Sequence, residues 1–142
     1  MNYNYNIKGA LTEINNPDDL NIFGENDLFG MRLYYDEELE VNEVSNTPNE
    51  DGKISAMQWN STNLNQVQTY MFEYDDLNRL TKAEYLPGNK YTVQNIEYDL
   101  NGNITQLQRN GQYFEESSGD GISIGNPVGI TISYGLIDDL TY

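Results

Sequence analysis

Tyr74-Asp75-Asp76-Leu77-Asn78-Arg79-Leu80-Thr81 and Tyr98-Asp99-Leu100-Asn101-Gly102-Asn103-Ile104-Thr105 follow one pattern. Each reads Tyr, Asp, two variable residues, Gly or Asn, any residue, Leu or Ile, then Thr. The two tyrosines are 24 residues apart, a spacing that signals a repeat architecture. Tyr5-Asn6-Ile7-Lys8-Gly9-Ala10-Leu11-Thr12 is a further copy with Asn in place of Asp. Another copy is split: Tyr35-Asp36 opens it and Gly52-Lys53-Ile54-Ser55 closes it, with about 13 residues inserted between. That insert, within 37–51, is acidic and contains Pro48. A second insert, within 112–135, carries loop chemistry at Ser117-Ser118-Gly119-Asp120-Gly121 and Gly125-Asn126-Pro127. Ile137 to Tyr142 reads as the opening strand of one more unit.

Each copy reads as a β-hairpin. The Tyr ends one strand, the Asp or Asn and its neighbours turn, and Leu/Ile-Thr begins the next strand. Asn101-Gly102 is a strong turn signal because both residues tolerate positive φ, and Asp51-Gly52 repeats it. Asn78 stands where other copies have Gly, and Asn is the next most tolerant residue there. The side chain after each Tyr is placed to accept hydrogen bonds from backbone N–H groups further along the turn. Leu86-Pro87-Gly88-Asn89 supplies a return turn, with Gly88 at positive φ. Between turns, apolar residues alternate: Tyr70, Phe72 and Tyr74 share one strand face, as do Ile96 and Tyr98. The chain is therefore expected to be all-β, with antiparallel hairpin repeats forming a curved sheet. One short helical piece is expected near Pro17–Ile22, where Pro and two Asp suit a helix start. Leu11, Leu80 and Ile104 are expected to hold equivalent places in a repeated core.

Composition agrees and narrows function. The 142 residues include 20 Asn, 12 Tyr and 12 Gly, which suit pleated sheet and tight turns. A net charge of −16 opposes binding to nucleic acid or to anionic membranes. With neither His nor Cys, Ser–His and Cys–His nucleophiles, thiolate or imidazole zinc sites and disulfides are excluded. No apolar run approaches the length of a membrane-spanning helix, and Met1 to Asn6 lacks a signal-peptide pattern.

These motifs resemble the RHS/YD-repeat family of bacterial polymorphic-toxin shells, to which the teneurins are related. The resemblance covers most of 1–142 as a single repeat segment of about four units plus a truncated one, apart from the two inserts. It implies a non-enzymatic structural role. In that family a β-sheet ribbon spirals into a hollow shell around a C-terminal toxin or other cargo, and the protein is secreted or carried to the cell surface. The expected partners are then the rest of the parent protein and its cargo. The family's aspartate-dependent self-cleaving region has no counterpart here.

Asp99-x-Asn101-x-Asn103 resembles the start of an EF-hand loop, but Ile104 and Asn110 stand where Gly and Glu are required, so turn capping is the better reading. The doublets Asp18-Asp19, Glu37-Glu38, Glu115-Glu116 and Asp138-Asp139 put adjacent carboxylates on opposite faces of a strand, which does not serve a glycosidase. No catalytic residue, metal or cofactor is expected. Trp59 and the tyrosines are expected to pack against the sheet. The alternative reading is a surface module that binds carbohydrate or protein through an aromatic sheet face. Uncharged alternation in Asn2 to Asn6 leaves an unprotected edge, so association of copies through edge strands is also expected.

Overall fold

The computed structural model describes residues 1–20, 27–116 and 130–141. Among these there is no helix; the chain is all-β. A single nine-stranded antiparallel sheet runs in the order β1 (Tyr3–Tyr5), β2 (Leu11–Ile14), β3 (Phe29–Tyr34), β6 (Ala56–Ser61), β7 (Gln68–Tyr74), β8 (Leu80–Leu86), β9 (Val93–Tyr98), β10 (Ile104–Glu116) and β11 (Ile130–Thr141). Between β3 and β6 the strands β4 (Glu40–Val41) and β5 (Val44–Ser45) form a separate two-stranded hairpin. Every neighbour in the large sheet is thus the next main strand along the chain. This meander follows from the turn chemistry, which returns the chain beside the strand it has just left.

Register assigns the side chains to two faces. Across one face run the rows Tyr34–Ala56–Met71–Glu84 and Arg32–Gln58–Thr69–Leu86. Tyr34, Ala56, Met71 and Leu86 are its buried core, and Leu39, Val41 and Val44 of the β4–β5 hairpin pack over them. The first insert therefore has a structural job: it roofs apolar side chains that an open sheet would leave wet. Asn46 anchors that roof, donating from Nδ2 to Ser55 Oγ at 2.8 Å and accepting at Oδ1 from the Leu39 N–H at 2.7 Å.

The expected helix is absent from the described residues of its span. Pro17 to Leu20 form turns, while Ile22 lies outside the described residues. Bonds from β3 fix a turn here instead: Arg32 Nη2 donates to Asn16 Oδ1 at 3.0 Å and Arg32 Nη1 pairs with Asp18 at 2.9 Å, while Asn16 Oδ1 also accepts from the Asp18 N–H at 3.0 Å. Pro17 is fully buried against β3, where Gly30 gives it room. The second insert is also shorter than its loop-like sequence indicates, since residues 112–116 and 130–135 extend β10 and β11. Its Ser117–Gly121 and Gly125–Pro127 turn signals, and Tyr142, lie outside the described residues.

Candidate functional site

Four turns share one construction. Asp75 Oδ1 accepts from the N–H groups of Leu77 and Arg79 at 3.0 and 2.8 Å. Asp99 Oδ1 does the same with Asn101 and Asn103 at 2.9 and 2.8 Å, and Asn6 Oδ1 with Lys8 and Ala10 at 3.0 and 2.9 Å. In the split copy this acceptor is Asn49, whose Oδ1 takes the Lys53 N–H at 3.2 Å. Asp36, next to Tyr35 in sequence, is displaced by the insert and pairs instead with Lys8 at 3.4 Å. Each turn closes through a residue at positive φ: Gly9 (79°), Gly52 (83°), Asn78 (63°) and Gly102 (85°). Hydrogen bonding from Arg79, first by its backbone N–H and then by its side chain, holds the Asp75 carboxyl below the usual carboxylate range. The Asn103 side-chain amide and backbone N–H do the same for Asp99.

The motif tyrosines join one repeat to the one before it. Tyr35 donates its hydroxyl to the Leu11 carbonyl at 2.8 Å, Tyr74 to the Ile54 carbonyl at 2.8 Å, and Tyr98 to the Leu80 carbonyl at 2.7 Å. The acceptor each time is the Leu or Ile of the preceding repeat motif, the first residue of β2 at Leu11 and of β8 at Leu80, and two residues ahead of β6 at Ile54. A second tie reinforces the last junction. Arg79, paired with Asp75 at 2.7 Å, lies 4.5 Å over the Tyr98 ring and donates to the Asp99 carbonyl at 3.2 Å. Tyr5, at the outer strand β1, is exposed. The Leu/Ile position is not the expected core. Leu11 and Leu80 are half-buried and Ile104 is exposed; what Leu11 and Leu80 contribute to the next repeat is a backbone carbonyl. Thr12, Thr81 and Thr105 follow them, half-buried.

The other face of the sheet carries an aromatic cluster, with the row Leu33–Met57–Tyr70–Tyr85 at its centre. Trp59 stacks on Tyr70 at 5.6 Å between ring centroids, and Tyr70 stacks on Phe72 at 5.9 Å. Tyr85 meets Tyr70 at 5.3 Å and Tyr91, edge to face, at 5.2 Å. Burial, with help from Tyr85 and Tyr91, pushes the Tyr70 phenol up. At one end of this stack a cleft of about 300 Å³ opens between the β6–β7 and β8–β9 loops. Its walls include Asn63, Asn65, Gln66, Gln68, Tyr85 and Tyr91.

Among the described residues no cluster of carboxylates is placed to hold a metal ion. The Asp99 oxygens are engaged within their own turn: Oδ1 as above and Oδ2 with Asn103 Nδ2 at 2.8 Å. Asp18 faces Arg32, while the side chains of Glu115, Glu116 and Asp138 lie outside those described. No family model matches the chain, and no curated protein matches it.

Proposed function

We propose that this chain is a non-enzymatic structural segment of an RHS-type repeat protein, one stretch of a curved β wall that encloses a toxin or other cargo. The observation that supports this most is the tyrosine-to-carbonyl contact made at three successive junctions. Such a contact ties neighbour to neighbour and serves a ribbon of any length, as repeat architectures require. On this reading the protein is secreted or displayed at the cell surface. Its partners are the other repeats of the parent protein and the enclosed cargo. The outer strands β1 and β11 offer backbone groups on which flanking repeats, or a second copy, would pair.

Electron cryo-microscopy of the parent protein, isolated from its source, tests the reading. The expected image is a continuous β wall in which this segment is flanked on both sides by further hairpins. A free-standing sheet joined to the remainder by a linker would overturn it.

A further inference from the structure

We propose that the cleft between residues 63–66 and 87–91 binds a single neutral saccharide unit. Its volume of about 300 Å³ is at the small end of ligand sites, which suits one ring of a glycan better than an extended peptide. The aromatic wall is assembled before any ligand arrives. Tyr85 donates its hydroxyl to Gln68 Oε1, and the Tyr91 carbonyl accepts from the Tyr70 hydroxyl at 2.9 Å. Tyr91 remains 40% exposed, so it offers ring surface to the C–H face of a sugar. Fixing the platform in advance lowers the ordering cost of binding.

The amides give the site its polarity. The side chains of Asn63, Asn65 and Gln66 make no hydrogen bond within the described residues, and all three are exposed. An amide both donates and accepts, which matches hydroxyl groups that do the same. Charge rules out the competing ligand classes. No carboxylate lines the cleft, so a calcium or magnesium ion finds no anionic ligand. Lys90 is the single charged residue of the lining, in a chain of net charge −16, so a polyanion is repelled overall. None of the repeat-motif residues lines the cleft, so the wall reading stands or falls separately.

The test is an NMR titration of the intact chain with gluco-, manno-, galacto- and N-acetylglucosamine oligosaccharides, with heparin as the anionic comparison. At least one neutral oligosaccharide is expected to saturate and to shift amide resonances in 63–66 and 87–91. Tyr91→Ala should weaken that binding about tenfold, and Asn65→Ala by a smaller factor, while Tyr91→Phe retains it. Unchanged spectra away from the cleft would show that the variants fold; Asn65→Ala, at an exposed loop position, provides the readout if Tyr91→Ala does not. Absence of saturable shifts with every neutral oligosaccharide, binding of heparin alone, or binding indifferent to both alanine variants would overturn the proposal.

Discussion

Replacing Tyr74 by Phe removes one hydroxyl and keeps the ring, which isolates the bond to the Ile54 carbonyl. We expect a loss of about 0.5–1.5 kcal/mol in chemical denaturation, as for other single hydrogen bonds. Tyr5→Phe is the control, because the Tyr5 hydroxyl makes no hydrogen bond within the described residues, and it should leave stability unchanged. Equal effects from the two variants would show that the hydroxyl contact contributes nothing. Asp75 and Asp99 make a second prediction, on pH. Their folded pKa values lie below the ordinary one, so the stabilisation is present above about pH 3.9 and is lost as pH falls through the lower folded values. Asn already serves at positions 6 and 49, so the double variant Asp75→Asn, Asp99→Asn should keep its turns. Its stability deficit against wild type should shrink in thermal melts taken below about pH 4. A deficit that stays constant down to the acid limb would contradict this. At this scale the turn residues were legible in the sequence because positive φ selects Gly and Asn. The tyrosine contacts were not, since they depend on how neighbouring hairpins lie and join residues 18 to 24 apart. Asn49 was legible in principle: Asn49-x-x-Gly52-x-Ile54 repeats the spacing Asn6-x-x-Gly9-x-Leu11, but no Tyr precedes Asn49 to complete the motif.

Among the elements, the β4–β5 hairpin shows what an insert can add. It turns through Asn42 and Glu43, both at positive φ (52° and 67°). Two-residue hairpin loops with positive φ at both positions favour Asn-Gly, and Glu at the second is strained. Glu43→Gly should therefore stabilise the chain by up to about 1 kcal/mol, less what the more flexible unfolded chain takes back, read from the denaturation midpoint. A lower midpoint would mean that the Glu43 side chain contributes more than its backbone costs. In the sequence this stretch reads only as an acidic interruption, because two strands of two residues each leave almost no alternation. Gly30 is the opposite case. A Cβ there would lie 2.8 Å from the Pro17 nitrogen and 2.9 Å from the Asn16 carbonyl. Backbone cannot give way as a side-chain tip can, so Gly30→Ala should cost about 1–3 kcal/mol in the same measurement. An unchanged midpoint would show that the Asn16–Pro17 turn moves freely. The failed helix expectation belongs here too: Pro and acidic residues suit a helix start, yet Arg32 of β3 holds the Asn16 and Asp18 side chains in a turn.

At the scale of the molecule, each strand of the main sheet pairs its backbone only with its neighbours, so stability should vary along the chain instead of being shared evenly. The roofed core and the aromatic stack both centre on β6, β7 and β8. Hydrogen exchange should accordingly be slowest in Ala56–Ser61, Gln68–Tyr74 and Leu80–Leu86 and fastest in Tyr3–Tyr5. Uniform protection across the sheet would show instead that it opens as one unit. The all-β class, the meander and the hairpin sites could be read from the repeats, because a turn of known chemistry returns the chain beside itself. The roof and the cleft could not, since both arise where segments distant in sequence meet across the finished sheet.

The tyrosine contacts also have a direction in time. Tyr35 reaches back to Leu11, Tyr74 to Ile54, and Tyr98 to Leu80, so the donor always follows its acceptor in the chain. A ribosome releases the acceptor first. Each new hairpin therefore finds its docking point already made and waits for nothing downstream. Assembly can proceed vectorially, one repeat at a time, with a half-made chain exposing a single growing edge.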